Sequence, residues 1–461
     1  MEIIHETLRR RIKEANKDTW LTDKFNTLKN DEERVIFTFE VMQEFNVVPK
    51  VKNVPKNLVD SIKFREEGNK LFLTNPLNGY KCITILELYT KSIAYANPSS
   101  EELALAYANI PCDHCVYALY CSEKCKLEDW KKYHDIECPV FSILFEISDY
   151  IKFDLFSARI AIQAIREFKN LENLRKEIKK VDEWDDPRTK GFSSDKKLHS
   201  DKYISIYCLT TNTEKRSAID LFRRSVDACI ILYLLATRTV IFGDKLEDEL
   251  SALIKNKDVT LIGGLILRHQ QLIPSNVHSF SEEYILDSKE RGVVAMAFYS
   301  LFNHSCNPNV LRFSRSREMI MCAAYPIQKG EQLLDNYGQH YAIMGKSKRQ
   351  EGLLKQYYFE CNCIACEWDW PPYFALYSYQ DLGTNYDNGI IAKALRKFET
   401  YVSLATVDEV HDKPHIIRDL LKMVQVLYDH APIPCKEMNE VVETIKRVYS
   451  LSGNRFDLPV V

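Results

Sequence analysis

The sequence predicts an α+β chain: mostly helical, with a small β-rich core, a short cysteine-bearing finger and an α-helical C-terminal domain. Three observations carry that expectation. Helical periodicity runs through long stretches, among them Phe156 to Phe168, Ile416 to His430 and Met438 to Ser450, where apolar residues return every three or four positions. Residues 292–338 break that rhythm and read as short strands and turns. Of the 14 cysteines, Cys112, Cys115, Cys121, Cys125 and Cys138 form one group and Cys361, Cys363 and Cys366 another, the clustering of metal ligands.

Composition narrows the function classes. At 461 residues the chain has room for about three domains. Apolar residues make up 46% and charged residues 28%, and the net charge is −3. That balance suits a globular protein and gives no direct evidence for a nucleic-acid partner. The first residues, MEIIHETLRRRIKEANKD, are charged throughout and do not form a signal peptide. The longest apolar run, Ala228 to Phe242, holds Arg238 and is too short to span a bilayer; it reads as a core helix, so no membrane partner is expected. Without a secretory leader, clustered thiols are metal ligands before they are disulfides. Cys82, Cys208, Cys229, Cys322 and Cys435 stand among apolar neighbours and read as core residues.

The elements follow in order. Residues 1–62 are a helical leader with two amphipathic stretches and a connector from Val48 to Pro55. From Lys63, Gly68 sits where two helices of a hairpin approach, and Leu71, Phe72, Ile83, Leu86, Tyr89 and Ile93 recur at helical spacing until Pro98. Residues 63–110 thus resemble a partial tetratricopeptide repeat, with a short insertion around Pro76. Its third helix, LALAYAN, meets Ile110-Pro111-Cys112 with no linker. A finger is expected at 111–138 and helices over 139–290, interrupted by an exposed loop from Glu172 to Lys202. A buried strand is expected from Gly292 to Phe302, inside a β-rich core at 291–340. A cysteine loop follows at 341–370, and Pro371-Pro372 opens the helical C-terminal domain, 371–461.

In the first cluster Cys112-x2-Cys115 has knuckle spacing, and Cys121-x3-Cys125 opens a helix running through Leu127, Trp130 and Tyr133. His134 and Cys138, four apart, share a helix face. Zinc takes four such ligands at about 2.0–2.3 Å. The pattern resembles a MYND zinc finger, whose cross-braced order implies one complete site, Cys112, Cys115, His134 and Cys138. It leaves Cys121 and Cys125 as half of a second, because the first cysteine pair is absent. An alternative places Cys112, Cys115, Cys121 and Cys125 around one ion.

Three later segments occur in order: Asn303-His304-Ser305-Cys306-Asn307-Pro308-Asn309, then Gly330 to Gly338, then Tyr358-Phe359-Glu360-Cys361-Asn362-Cys363-Ile364-Ala365-Cys366. Together they resemble the end of a SET methyltransferase domain and its post-SET zinc loop. That resemblance implies methyl transfer from S-adenosylmethionine to lysine, a displacement that needs the amine neutral, in line and shielded from water. It implies Tyr337 at the reacting methyl and Asn303 and His304 on the cofactor adenine. Ser300 and Phe359 would line the cofactor, and Cys306 would be the fourth zinc ligand with Cys361, Cys363 and Cys366. Tyr207 and Asn212 in YCLTTN, and Asn276 in RHQQLIPSNVHSF, align with further cofactor contacts.

The whole order resembles the SET and MYND domain-containing family, in its tetratricopeptide-bearing, fourth-member branch. One departure stands out. SET domains open with a Gly-x-Gly turn that cradles the cofactor, and in this family it precedes the finger. Nothing between Ala108 and Cys112 supplies it, and Gly263-Gly264 lie too far downstream on a helix or strand. One deletion at the Asn109/Ile110 join accounts for the missing turn, the missing repeats and the missing cysteine pair, as in a shortened isoform or an incomplete gene model. Two functions compete: a protein-lysine methyltransferase with a protein substrate, and a weakly active or inactive zinc-bearing adaptor whose finger and helical repeats bind peptides. Either is expected in the cytoplasm, the nucleus or both.

Overall fold

The computed structural model describes residues 1–49, 57–74, 91, 110–120, 122–148, 151–193, 196–283, 288–315, 318–381 and 388–453. It is mostly helical with four two-stranded sheets, the α+β class expected. The chain divides into two compact units, Met1–Ile273 and Pro274–Val461. Beyond the helix Leu58–Thr74 and Lys91, the tetratricopeptide segment lies outside the described residues, as do Cys82, Cys121 and the Asn109/Ile110 join.

The first unit is built on the helix Ala218–Arg238, which holds most of the expected core helix but ends at Arg238 instead of Phe242; Ser217 caps it, its hydroxyl accepting from the Asp220 amide. Its stretch from Ala228 to Ala236 is buried on every side, as a helix apolar all round must be. It packs against the helix Asp31–Glu44, where Thr38 and Ser225 share a buried hydroxyl–hydroxyl bond of 2.8 Å. A third helix, Lys257–Asn276, presses Gly263 onto the same place: a Cβ there would lie 2.6 Å from Leu232 and 2.8 Å from Val35. The Gly263-Gly264 pair therefore serves helix packing.

Three local expectations are corrected. The leader holds three helices before residue 49, Glu2–Glu14, Asp18–Asn26 and Asp31–Glu44, where two stretches were expected. The stretch from Glu172 is no loop at its start. Asn170 caps the helix Leu171–Asp182, which buries Leu174, Ile178 and Val181; the 4-then-3 spacing of those residues was a helix signal that the dense charge around it masked. The run Gly292 to Phe302 is strand only to Ala295. It then turns through Tyr299–Leu301, with the Ser300 hydroxyl bonded back to the Met296 carbonyl at 3.0 Å. A short apolar run does not distinguish a strand from a buried turn.

Among the described residues, three of the four two-stranded sheets lie in the second unit. Strands β1 (Ile110–Pro111) and β2 (Leu119–Tyr120) belong to the finger in the first unit. The hairpin β3 (Val277–Glu283) with β4 (Ser288–Ala295) and the hairpin β6 (Val310–Arg315) with β7 (Glu318–Ala323) are antiparallel. Between them in sequence, β5 (Asn303–His304) pairs in parallel with β8 (Leu334–Asp335). The helices His415–His430 and Lys436–Leu451 bury one face each, and Tyr449 stacks on Phe313 of β6 with ring centres 5.2 Å apart.

Candidate functional site

The finger gathers Cys112, Cys115, His134 and Cys138, all buried, with ligand atoms within 4.8 Å of one another. Cys112 and Cys138 sulfurs stand 3.8 Å apart, and Cys115 is 3.5 Å from His134 Nε2. Sulfurs at that spacing are too far apart for a disulfide and match the edge of a tetrahedral zinc site, about 3.8 Å for Zn–S bonds of about 2.3 Å. Cys125 is half-buried and outside this group. The set is positioned by two elements: the β1–β2 turn supplies the first pair, and the helical run from Glu123 to Ile147 supplies the second. A buried glutamate completes it. Glu137 accepts from His134 Nδ1 at 2.9 Å and from Arg159 at 2.7 and 2.6 Å. His134 Nδ1 therefore carries the proton and Nε2 faces the thiols, the arrangement that orients a metal-binding imidazole.

In the second unit Cys306, Cys361, Cys363 and Cys366 converge in the same way. Cys306 sulfur lies 3.5 Å from Cys366 and 4.0 Å from Cys361, and its amide donates to Cys363 sulfur at 3.3 Å. Four soft thiolates at this spacing fit zinc. Four thiolates on a dication leave a net charge of −2, and a buried cation answers it. Arg349 is fully buried; it donates to the Met344 carbonyl at 2.7 Å and the Ala365 carbonyl at 3.0 Å, and lies 3.7 Å from Cys366 sulfur. Arg349 belongs to KSKRQ at 346–350, whose own pattern does not mark it as buried. Arg349→Met is expected to weaken zinc at this site about 10–100-fold, measured by chelator competition, while the finger site keeps its affinity.

The cysteine cluster fixes a crossing of two loops. Beyond the β5–β8 pair, the Ser305 amide donates to the Asp335 carbonyl at 2.8 Å and Asn336 Nδ2 to the Ser305 carbonyl at 2.9 Å. The Tyr337 amide donates to His304 Nδ1 at 3.0 Å. His304 Nε2 then bears the proton and faces Cys306 sulfur at 3.4 Å. Burial lowers the His304 pKa to about 4, so the ring is neutral. Tyr337 is half-buried, its pKa pushed up to about 12 by burial and by Tyr357 and Asp335, and its hydroxyl donates to the Phe302 carbonyl. His304, Tyr337 and Phe359 form one aromatic group, with Phe359 ring centres 6.0 Å from His304 and 6.5 Å from Tyr337.

A cleft of about 240 Å³ opens beside Tyr337, with His278, Tyr299, Ser300, Phe302 and Tyr357 in its walls. Tyr357 lies with its ring centre 4.7 Å from that of Tyr337. The Tyr299 hydroxyl donates to the buried Asp335 carboxylate. The Ser300 hydroxyl reaches the Asn276 carbonyl at 3.1 Å and His278 at 3.2 Å. Of the sequence-assigned residues, Asn276, Ser300, Asn303, His304, Tyr337 and Phe359 thus belong to the second unit. Asn303 is exposed on β5, and Asn276 is buried at the end of its helix. Tyr207 and Asn212 belong to the first. Tyr207 is buried, its hydroxyl on Asp182 at 2.8 Å and its ring 4.1 Å under the Arg268 guanidinium. Asn212 is buried with a left-handed backbone, φ 54°, a conformation asparagine tolerates better than most residues. Sequence reasoning missed His278, Tyr299, Asp335, Tyr357, Glu137, Arg159 and Arg349. Asp335, Glu137 and His278 lay inside segments that resembled motifs, but at positions to which those motifs assign no role.

Comparison with known proteins follows this geometry. A family model of the SET domain matches residues 106–338, half of the chain. The chain therefore belongs to the SET-domain family. Its similarity within that family is to the SET and MYND proteins, as the motifs implied. It is 27% identical over 294 residues to the protein-lysine N-methyltransferase SMYD4 of Mus musculus and 25% identical over 301 residues to that of Homo sapiens, in each case 56% of this chain and 37% of the relative. It is 22% identical over 267 residues to a SET and MYND domain-containing protein of Dictyostelium discoideum, 57% of this chain and 67% of that one. The matched part thus spans about a third of the length of the SMYD4 relatives. Among the described residues no helix is long and apolar enough to cross a membrane.

Proposed function

We propose that the chain is a protein-lysine methyltransferase of SET type that uses S-adenosylmethionine and carries a MYND-type zinc finger. The observation that carries this reading is the loop crossing that sets Tyr337 against His304 and the Phe302 carbonyl, closed by the four-cysteine cluster and opening on an aromatic cleft. S-adenosylmethionine, when bound, supplies an electrophilic methyl on a sulfonium. The chain's residues do the rest. Tyr299, Phe302, Tyr337 and Tyr357 wall a narrow cleft that strips water from a lysine amine, and desolvation favours its neutral, nucleophilic form. Burial keeps the Tyr337 phenol protonated, so it orients donors and acceptors without ionising. The Phe302 carbonyl stands at the same point and offers weak C–H···O contacts to a methyl group. Held in that cleft, the lysine nitrogen would bond the methyl carbon as the carbon–sulfur bond of the sulfonium broke, and its displaced proton would pass to solvent. Both cysteine sets would hold zinc as structural ions that fix loops; neither takes part in transfer.

The adaptor reading draws on one sequence feature, the absence of a Gly-x-Gly turn ahead of the finger. Two backbone hydrogen bonds to a charged ligand are worth about 1.5–3 kcal/mol each, which is roughly two to four decades in affinity. Titration calorimetry with S-adenosylhomocysteine is therefore expected to give a dissociation constant weaker than micromolar. A micromolar or tighter value would mean that another segment replaces the turn.

A further inference from the structure

A second cleft of about 180 Å³, lined by Ser281, Ser314, Met319 and Ser450 among others, adjoins the one beside Tyr337, and the two share Ser279 and Arg312 in their walls. Arg312 and Ser314 alternate on β6 and so face one side of it; Ser279 and Ser281 stand on either side of a bulge in β3 and line the same cleft. Among the described residues β3 pairs only with β4 and β6 only with β7. The result is a groove of serine hydroxyls leading away from Tyr337.

Its charges are few. Among the described residues Arg312 is the one cation in either wall apart from the imidazole of His278, which burial and Arg312 hold neutral at a pKa of about 3. The one carboxylate there, Asp335, is buried and takes the Tyr299 hydroxyl. Glu290 takes the Ser279 hydroxyl at 2.6 Å but stands in neither wall. Arg312 is exposed, its guanidinium 5.3 Å from the Tyr299 ring centre, and no carboxylate among the described residues pairs with it. A cation seated on a wall ring and flanked by hydroxyl donors is a receptor for a carboxylate.

We propose that this groove binds an extended peptide and that Arg312 selects an acidic side chain within two positions of the methyl-accepting lysine. The inference rests on the lysine-methyltransferase reading. A two-residue step along an extended chain covers about 7 Å, the step that separates Arg312 from Ser314. A lysine held at Tyr337 therefore puts a near neighbour over the cation.

The test uses the full chain and fluorescent peptides with a single central lysine in alanine, carrying glutamate, glutamine or lysine at each of the two positions on either side. Polarisation is read at low ionic strength with S-adenosylhomocysteine present, because salt screens an exposed pair. Glutamate peptides are expected to bind about fivefold tighter than glutamine peptides at the favoured position. Arg312→Gln should abolish the preference and Arg312→Glu should invert it toward lysine peptides; the side chain is exposed, and thermal unfolding of both variants checks that its contact with the Tyr299 ring is not needed for folding. Equal binding of all three peptide sets, or an unchanged preference in Arg312→Glu, overturns the proposal. Methyl transfer to the same peptides is measured in parallel. Transfer without charge preference overturns the role of Arg312 and leaves the enzyme reading standing. Absence of both binding and transfer overturns the enzyme reading and the proposal with it.

Discussion

Cys306→Ser is expected to lower the zinc content from close to two ions per chain to one. Wild-type protein should hold two, because two ligand sets are complete while Cys121 and Cys125 make only half a set in sequence. Removing Cys306 takes one of four thiolates from a buried cluster that also organises Tyr341, Leu353 and Trp370. Structural zinc in small sites is worth about 10–16 kcal/mol, comparable with the whole stability of a domain. The loop from Cys361 to Cys366 should therefore open to protease, and the pairing of β5 with β8 should loosen with it, since Cys306 directly follows that strand pair. Metal analysis and limited proteolysis read both effects. Unchanged zinc in this mutant would remove Cys306 from the site, and three tightly held ions in the wild type would refute the half-set argument.

Tyr337→Phe is expected to lower methyl transfer to a lysine peptide about 10²–10³-fold while leaving folding and S-adenosylhomocysteine affinity nearly unchanged. The scale is that of losing one preorganised donor at a reacting centre. The ring stays, with its packing on Tyr357 and Phe359; only the hydroxyl that meets the Phe302 carbonyl is lost. The pH dependence has a defined sign. Burial raises the folded-state pKa to about 12, above the free value of about 10. The folded chain thus holds this proton more tightly, the stability from it is present below about pH 10, and it is lost as pH rises from there through the folded value. The rate should show no Tyr337 titration in the neutral range. Full activity in the phenylalanine variant would sink the assignment.

Motif chemistry was legible because ligand type and spacing are local. The MYND order that the first cluster resembles implied Cys112, Cys115, His134 and Cys138 as one site, with Cys112, Cys115, Cys121 and Cys125 as the alternative, and Cys306 joined Cys361, Cys363 and Cys366 on the strength of motif order. Long helices were legible for the same reason: the apolar run from Ala228 marked a core helix, and Met438 to Ser450 states its buried face in its own periodicity. The turn at Tyr299–Leu301 was not, because an apolar run does not say where the backbone bends. The helix Leu171–Asp182 was overlooked because its apolar stripe is narrow among charges.

What the sequence determined by itself is therefore the candidate chemistry: which side chains can serve as soft metal ligands, which tyrosine stands beside the loop glycine Gly338, and the family these motifs mark. What tertiary structure alone decided is the surroundings that tune them. Arg159 reaches Glu137 across 22 residues and pairs the carboxylate that holds His134. Arg349 comes from a run whose pattern does not record burial and becomes the buried cation beside four thiols. Tyr299 and Asp335 come together across 36 residues to shape the cleft. The physical reason is common to all three. A buried charge or polar group must be paired, and its partner is chosen by whatever the fold brings within hydrogen-bond reach, which no local spacing records.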